Sequence, residues 1–131
     1  MIHTNADQYR YPYEPTPYCV LERLAASGYI SRKQVLVDYG CAEEFELPDN
    51  ADRFYFFNPF SIEILQKVMG KVRESYYRNP RELVFFFYYP SSAYLAYLMT
   101  ENFLEFEDEI DCQDLFPGEN SRERIMIFKS Q

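Results

Sequence analysis

Two short runs carry residue types whose spacing could do chemistry. The first is Val35-Leu36-Val37-Asp38-Tyr39-Gly40. An apolar run ending in Asp-x-Gly is how a buried strand turns tightly to meet a cofactor at the carboxyl edge of an α/β sheet, where strand ends and helix N-termini present free backbone N–H groups. Such a site continues with a second and third glycine opening a helix. Here Cys41 leads instead into Ala42-Glu43-Glu44-Phe45-Glu46-Leu47-Pro48, with no glycine loop. The second run is Asn58-Pro59-Phe60, which closes the aromatic stretch Phe54-Tyr55-Phe56-Phe57. A third group, Glu105, Glu107, Asp108, Glu109 and Asp111, offers carboxylates for hydrolysis or for weak divalent-cation binding. Alternation puts several of these on a solvated strand face, and no EF-hand glycine spacing accompanies them.

Other chemistries lack their residues. His3 is the single histidine, and Cys19, Cys41 and Cys112 show no CxxC spacing. A Ser-His-Asp or Cys-His centre, a histidine metal site and a disulfide framework are therefore not expected, and the cysteines fit a reduced, cytoplasmic setting. The net charge of −8, with its Lys and Arg scattered, argues against a general grip on nucleic-acid phosphates. The first ten residues have no apolar signal core, and no apolar run approaches the ~20 residues that span a bilayer.

The elements that must position these runs are legible in the periodicity. Residues 1–13 read as a polar, Tyr-rich arm, and residues 14–131 as one domain. Thr16 can cap a helix with Pro17 at its first position, and Tyr18, Leu21, Leu24 and Ala25 give that helix an apolar face ending near Gly28. Val35–Tyr39, Phe54–Phe57 and Leu83–Tyr89 are continuous apolar strands of the kind buried in a parallel sheet. Ser61 can cap a helix reaching about Tyr77 before Asn79-Pro80, and Ser91-Ser92 introduces another over Ala93–Thr100. Phe103–Cys112 alternates as a half-exposed strand, Pro117-Gly118-Glu119-Asn120 is a loop, and Arg124–Lys129 is the returning strand. This order points to an α/β three-layer sheet, mostly parallel, with an antiparallel C-terminal pair.

With its motifs in this order, the chain resembles the class I S-adenosylmethionine-dependent methyltransferases, in particular small bacterial members, over about residues 9–131. Glu14-Pro15-Thr16-Pro17-Tyr18-Cys19-Val20 is similar to the Thr-Pro-x-x-Val helix start that in the family lies against the methionine end of the cofactor. Asp38 and Gly40 match the first half of its acidic-x-Gly-x-Gly cofactor motif. Asn58-Pro59-Phe60 resembles its (Asn/Asp)-Pro-Pro-(Tyr/Phe) motif, lacking the second proline; there the Asn and a following carbonyl orient the acceptor amine. The resemblance thus implies Thr16, Pro17, Asp38 and Gly40 beside S-adenosylmethionine and Asn58, Pro59 and Phe60 at a methyl acceptor that no motif specifies.

The resemblance also implies a missing segment. From strand one the chain passes at Cys41–Ala42 to what looks like the end of strand three, skipping on the order of 60 residues, or two βα units of about 30 each. The glycine loop and the carboxylate that holds the cofactor ribose fall within that gap, so tight cofactor binding and turnover are not expected. Removing strands three and two from the family order 3-2-1-4-5-7-6 leaves a truncated Rossmann-like sheet, 1-4-5-7-6. Its Val35–Tyr39 edge would be bare and open to pairing with a second chain. A non-catalytic interaction module or homo-oligomer on the residual fold is the alternative function.

Overall fold

The computed structural model describes residues 2–3, 16–31, 34, 36–39, 47–57 and 61–131, and only the backbone of residues 2, 3 and 37–39. Its elements are β1 (Ile2–His3), α1 (Tyr18–Ala26), β2 (Leu36–Tyr39), β3 (Arg53–Phe57), α2 (Ile62–Arg78), β4 (Val84–Tyr88), α3 (Ser92–Thr100), β5 (Leu104–Asp111) and β6 (Arg124–Ser130), with a 3-10 turn at Gln113–Leu115. Among the described residues one mixed sheet runs β1-β2-β3-β4-β6-β5. β1 to β4 are mutually parallel, and β6 and β5 close the sheet antiparallel. From β2 onward this is the strand order anticipated above.

Strand alternation splits the core between the two faces. Phe54, Phe56, Phe85, Phe87, Met126 and Phe128 pack beneath α2 and α3. Leu36, Tyr55, Val84, Phe86, Tyr88, Ile125 and Ile127 pack with Val20 and Leu24 of α1 on the opposite face. The sheet is therefore the middle of three layers, and β4, paired on both sides, is buried along its whole length. In register across β3 and β4, the rings of Phe54 and Phe85 stack at 5.0 Å and those of Phe56 and Phe87 at 4.6 Å. Such pairs contribute about 0.5–1.5 kcal/mol each beyond the area they bury.

Two of the helix starts follow the expected chemistry. Ser61 Oγ accepts from Ile64 N, and Ser91 Oγ accepts from Tyr94 N. The third does not. α1 begins one residue later than expected, so Pro17 is its N-cap and Thr16 lies outside the helix without capping it. Pro17 contributes through its carbonyl, which accepts from Val20 N and Leu21 N. Beyond Ala26, Gly28 takes φ +87°, a left-handed conformation that glycine adopts without penalty.

Four further expectations are corrected. Residues 1–13 are not wholly an arm, because Ile2 and His3 pair with Leu36 and Val37. The Val35–Tyr39 edge is consequently not bare: β1 covers its first half. The alternation of β5 breaks at a bulge between Phe106 and Asp108, where an extra residue enters the ladder, and residues 105–109 are all exposed. The expected strands at Leu83–Tyr89 and Phe103–Cys112 are each slightly shorter, at Val84–Tyr88 and Leu104–Asp111.

Candidate functional site at the strand ends

Parallel strands β2, β3 and β4 end side by side at Tyr39, Phe57 and Tyr88. In open α/β sheets ligands sit outside such carboxyl ends. Two of the sequence-derived site positions are each related to Tyr55 of β3. Asp38 is the register partner of Tyr55 in the β2–β3 ladder, and the Tyr55 hydroxyl lies 2.7 Å from Thr16 Oγ1. That bond fastens the approach to α1 onto the middle of β3 and explains what Thr16 does in place of capping. Pro17 follows it at the helix start, half-buried. Gly40, Asn58, Pro59 and Phe60 lie outside the described residues. Phe57, immediately before Asn58, is in register with Tyr88, their rings 4.8 Å apart and tilted.

The end of β4 carries contacts that no motif announced. Tyr88 donates to Glu123 Oε2 at 2.6 Å, and burial, followed by that carboxylate, pushes its phenol far above the usual range. The hydroxyl is thus a fixed donor. Tyr89 has φ 54°, among the described residues the one non-glycine with positive φ. A residue held there costs on the order of 1–3 kcal/mol unless its surroundings over-determine it, and they do. Arg124 O accepts from Tyr89 N at 3.0 Å. Asn120 Nδ2 donates to the Tyr89 hydroxyl at 2.7 Å. The Arg122 guanidinium lies 4.1 Å from the ring centroid and donates to the carbonyls of Tyr89 and Pro90. The turn from β4 into α3 is therefore held by several contacts at once. A Tyr-Tyr-Pro strand ending was the one sequence signal for it; the partners lie more than thirty residues away.

Away from these strand ends, a cleft of about 460 Å³ runs between α1, the start of β2 and the middle of β3, lined by Tyr18, Leu21, Leu24, Ala25, Ile30, Leu36 and Tyr55, with Glu22 a charged residue among them. Tyr18 and Leu21 are exposed.

The carboxylates of β5 are engaged elsewhere. Lys129 bridges Glu105 and Glu107, Arg124 pairs with Glu109, and the Tyr29 hydroxyl donates to Asp108. Asp111 receives Gln113 N on its side chain and Arg23 on its carbonyl. Among the described residues no three His, Cys, Asp or Glu side chains converge as a metal set, and no helix is long and apolar enough to cross a membrane.

No known family model matches this chain, and neither a curated protein nor a solved structure matches it. For S-adenosylmethionine the residues present are a poor fit. The sheet position outside β2 belongs to β1, which ends at His3 and brings no carboxylate among the described residues. From β2 to β3 the chain has thirteen residues, too few for the glycine loop, helices and strands that complete such a site.

Proposed function

We propose that this chain is a shortened class I S-adenosylmethionine-dependent methyltransferase domain in which the acceptor side of the site persists and the cofactor side is cut down. The observation that carries the reading is the strand order from β2 onward: three parallel strands followed by an antiparallel pair, with the last strand of the chain inserted between β4 and β5. The family has this arrangement at its carboxyl half, and the Thr16-Pro17, Asp38-x-Gly40 and Asn58-Pro59-Phe60 runs fall at its strand ends in the matching order. In this reading Asn58 orients an acceptor, and the Tyr88–Glu123 and Tyr89–Arg122 contacts fix the end of β4. No methyl-transfer step is assigned, because the sequence has no glycine loop after Gly40 to grip the donor.

Calorimetric titration with S-adenosylhomocysteine, read alongside the melting temperature, tests how much of the site survives. Saturable micromolar binding would restore a full transferase reading. The expected result is no shift at millimolar ligand. Inserting about 60 residues of a complete family member between Cys41 and Ala42 should then create binding; a folded insertion variant that stays silent would remove the family assignment itself.

The second reading, a non-catalytic interaction module, is favoured by the exposed apolar cleft along α1. An environment-sensitive dye displaced from that cleft by Leu21→Asp, with the melting temperature kept, would support it.

A further inference from the structure

Two of the parallel crossovers of this sheet, those that pass through a described helix, have opposite hands. β1 steps to its neighbour β2 by way of α1, and β3 steps to its neighbour β4 by way of α2. Both steps go in the same direction across the sheet. Yet α1 packs on the Tyr55, Phe86 and Tyr88 face, whereas α2 packs on the opposite face with Phe54, Phe56 and Phe85. Equal steps with helices on opposite faces cannot share a hand. Parallel crossovers are right-handed in about 98% of cases, because a right-twisted strand feeding a helix folds back well only that way. One of the two is therefore of the disfavoured hand, and the weaker claim belongs to β1. β3 and β4 pair over five residues with two stacked ring pairs, but β1 holds β2 through two residues.

We infer that β2 is a strand-accepting edge and that its preferred occupant is Ile2–His3 of a second copy of this chain, the two copies exchanging β1 reciprocally. Exchange retains the ladder of Ile2 with Leu36 and of His3 with Val37 while removing the disfavoured crossover, since the incoming strand no longer has to return through its own α1. The reach is available: twelve residues, Thr4 to Pro15, separate β1 from the start of the described α1 approach, a span of up to about 40 Å. The arrangement is closed, because each copy gives one strand and receives one. It requires neither cofactor nor activity.

Sedimentation equilibrium of the whole chain is expected to show a dimer that gives way to monomer when residues 1–3 are removed. Joining the register partners checks the exchange directly. With Cys19→Ser, Cys41→Ser and Cys112→Ala as background, His3→Cys and Val37→Cys placed in the same chain are oxidised. The bond is expected to link two chains, seen as a dimer on a non-reducing gel. A bond formed within one chain would overturn the proposal. So would an unmodified protein that stays monomeric at millimolar concentration, or a dimer that survives loss of residues 1–3.

Discussion

At the level of single residues, several side chains hold this fold through partners far away in the chain. Tyr88 and Glu123 meet across 35 positions, so Tyr88→Phe strands a half-buried carboxylate and should cost about 1–3 kcal/mol, read as a lower urea midpoint at unchanged slope. Tyr55→Phe breaks the tether to Thr16 and should cost about 1 kcal/mol by the same measurement. Cys112 makes a prediction about pH. Burial pushes its thiol from 9.0 up to about 11, against the partial opposition of Arg23. The folded state therefore keeps a neutral thiol where the unfolded chain has begun to ionise. This contribution is complete below pH 9 and is lost as pH rises from 9 to about 11. Thiolate absorbance in Cys19→Ser, Cys41→Ser protein should rise near pH 11 when folded and near pH 9 in denaturant; titration near 9 in both would refute it. None of these pairings was visible in the sequence, because a hydroxyl and a carboxylate dozens of residues apart leave no period.

Regular elements were far more legible, and the exceptions have physical reasons. β3 and β4 announced themselves as unbroken aromatic runs because both their faces are covered. α2 and α3 were readable from Ser61 and Ser91, whose hydroxyls do cap. Ser91→Ala should therefore lower stability by about 1 kcal/mol and shift the melting temperature down by several degrees. Thr16 misled because Thr-Pro fits two registers, and a hydrogen bond to Tyr55 outweighed the cap. β1 escaped notice because two residues cannot display alternation. The β5 bulge escaped for a related reason, since one inserted residue flips all that follow and a single strand shows no sign of where its partner ends. At the candidate site, Thr16 and Asp38 were named from motifs, and Tyr55, hydrogen-bonded to the one and in backbone register with the other, was not.

For the molecule as a whole, the sheet is strong in its middle and thins toward β1. β4 is paired on both sides and buried on both faces, while β2 has β3 on one side and two residues of β1 on the other. Amide exchange should follow this gradient, with β4 protected on the order of a hundredfold or more beyond β2. Equal protection of the two strands would mean that the β2 edge is much better sealed than its ladder indicates. The net charge of −8 works alongside this gradient. Self-repulsion weakens the closed form at low ionic strength, so added salt should raise the melting temperature.

The bulged, carboxylate-lined β5 at the other margin of the sheet has a consequence for how large any assembly can become. Its Glu105, Glu107, Asp108 and Glu109, exposed though paired with Lys129, Tyr29 and Arg124, line a ladder that the bulge has thrown out of step. A like-charged neighbour cannot lie flat against it. In the proposed exchange the β2 margin recruits the other copy, and a reciprocal pair uses up both recruiting margins. Under the proposed exchange growth would therefore stop at two, and a chain with 25 aromatic residues would be kept from building a fibre through this sheet.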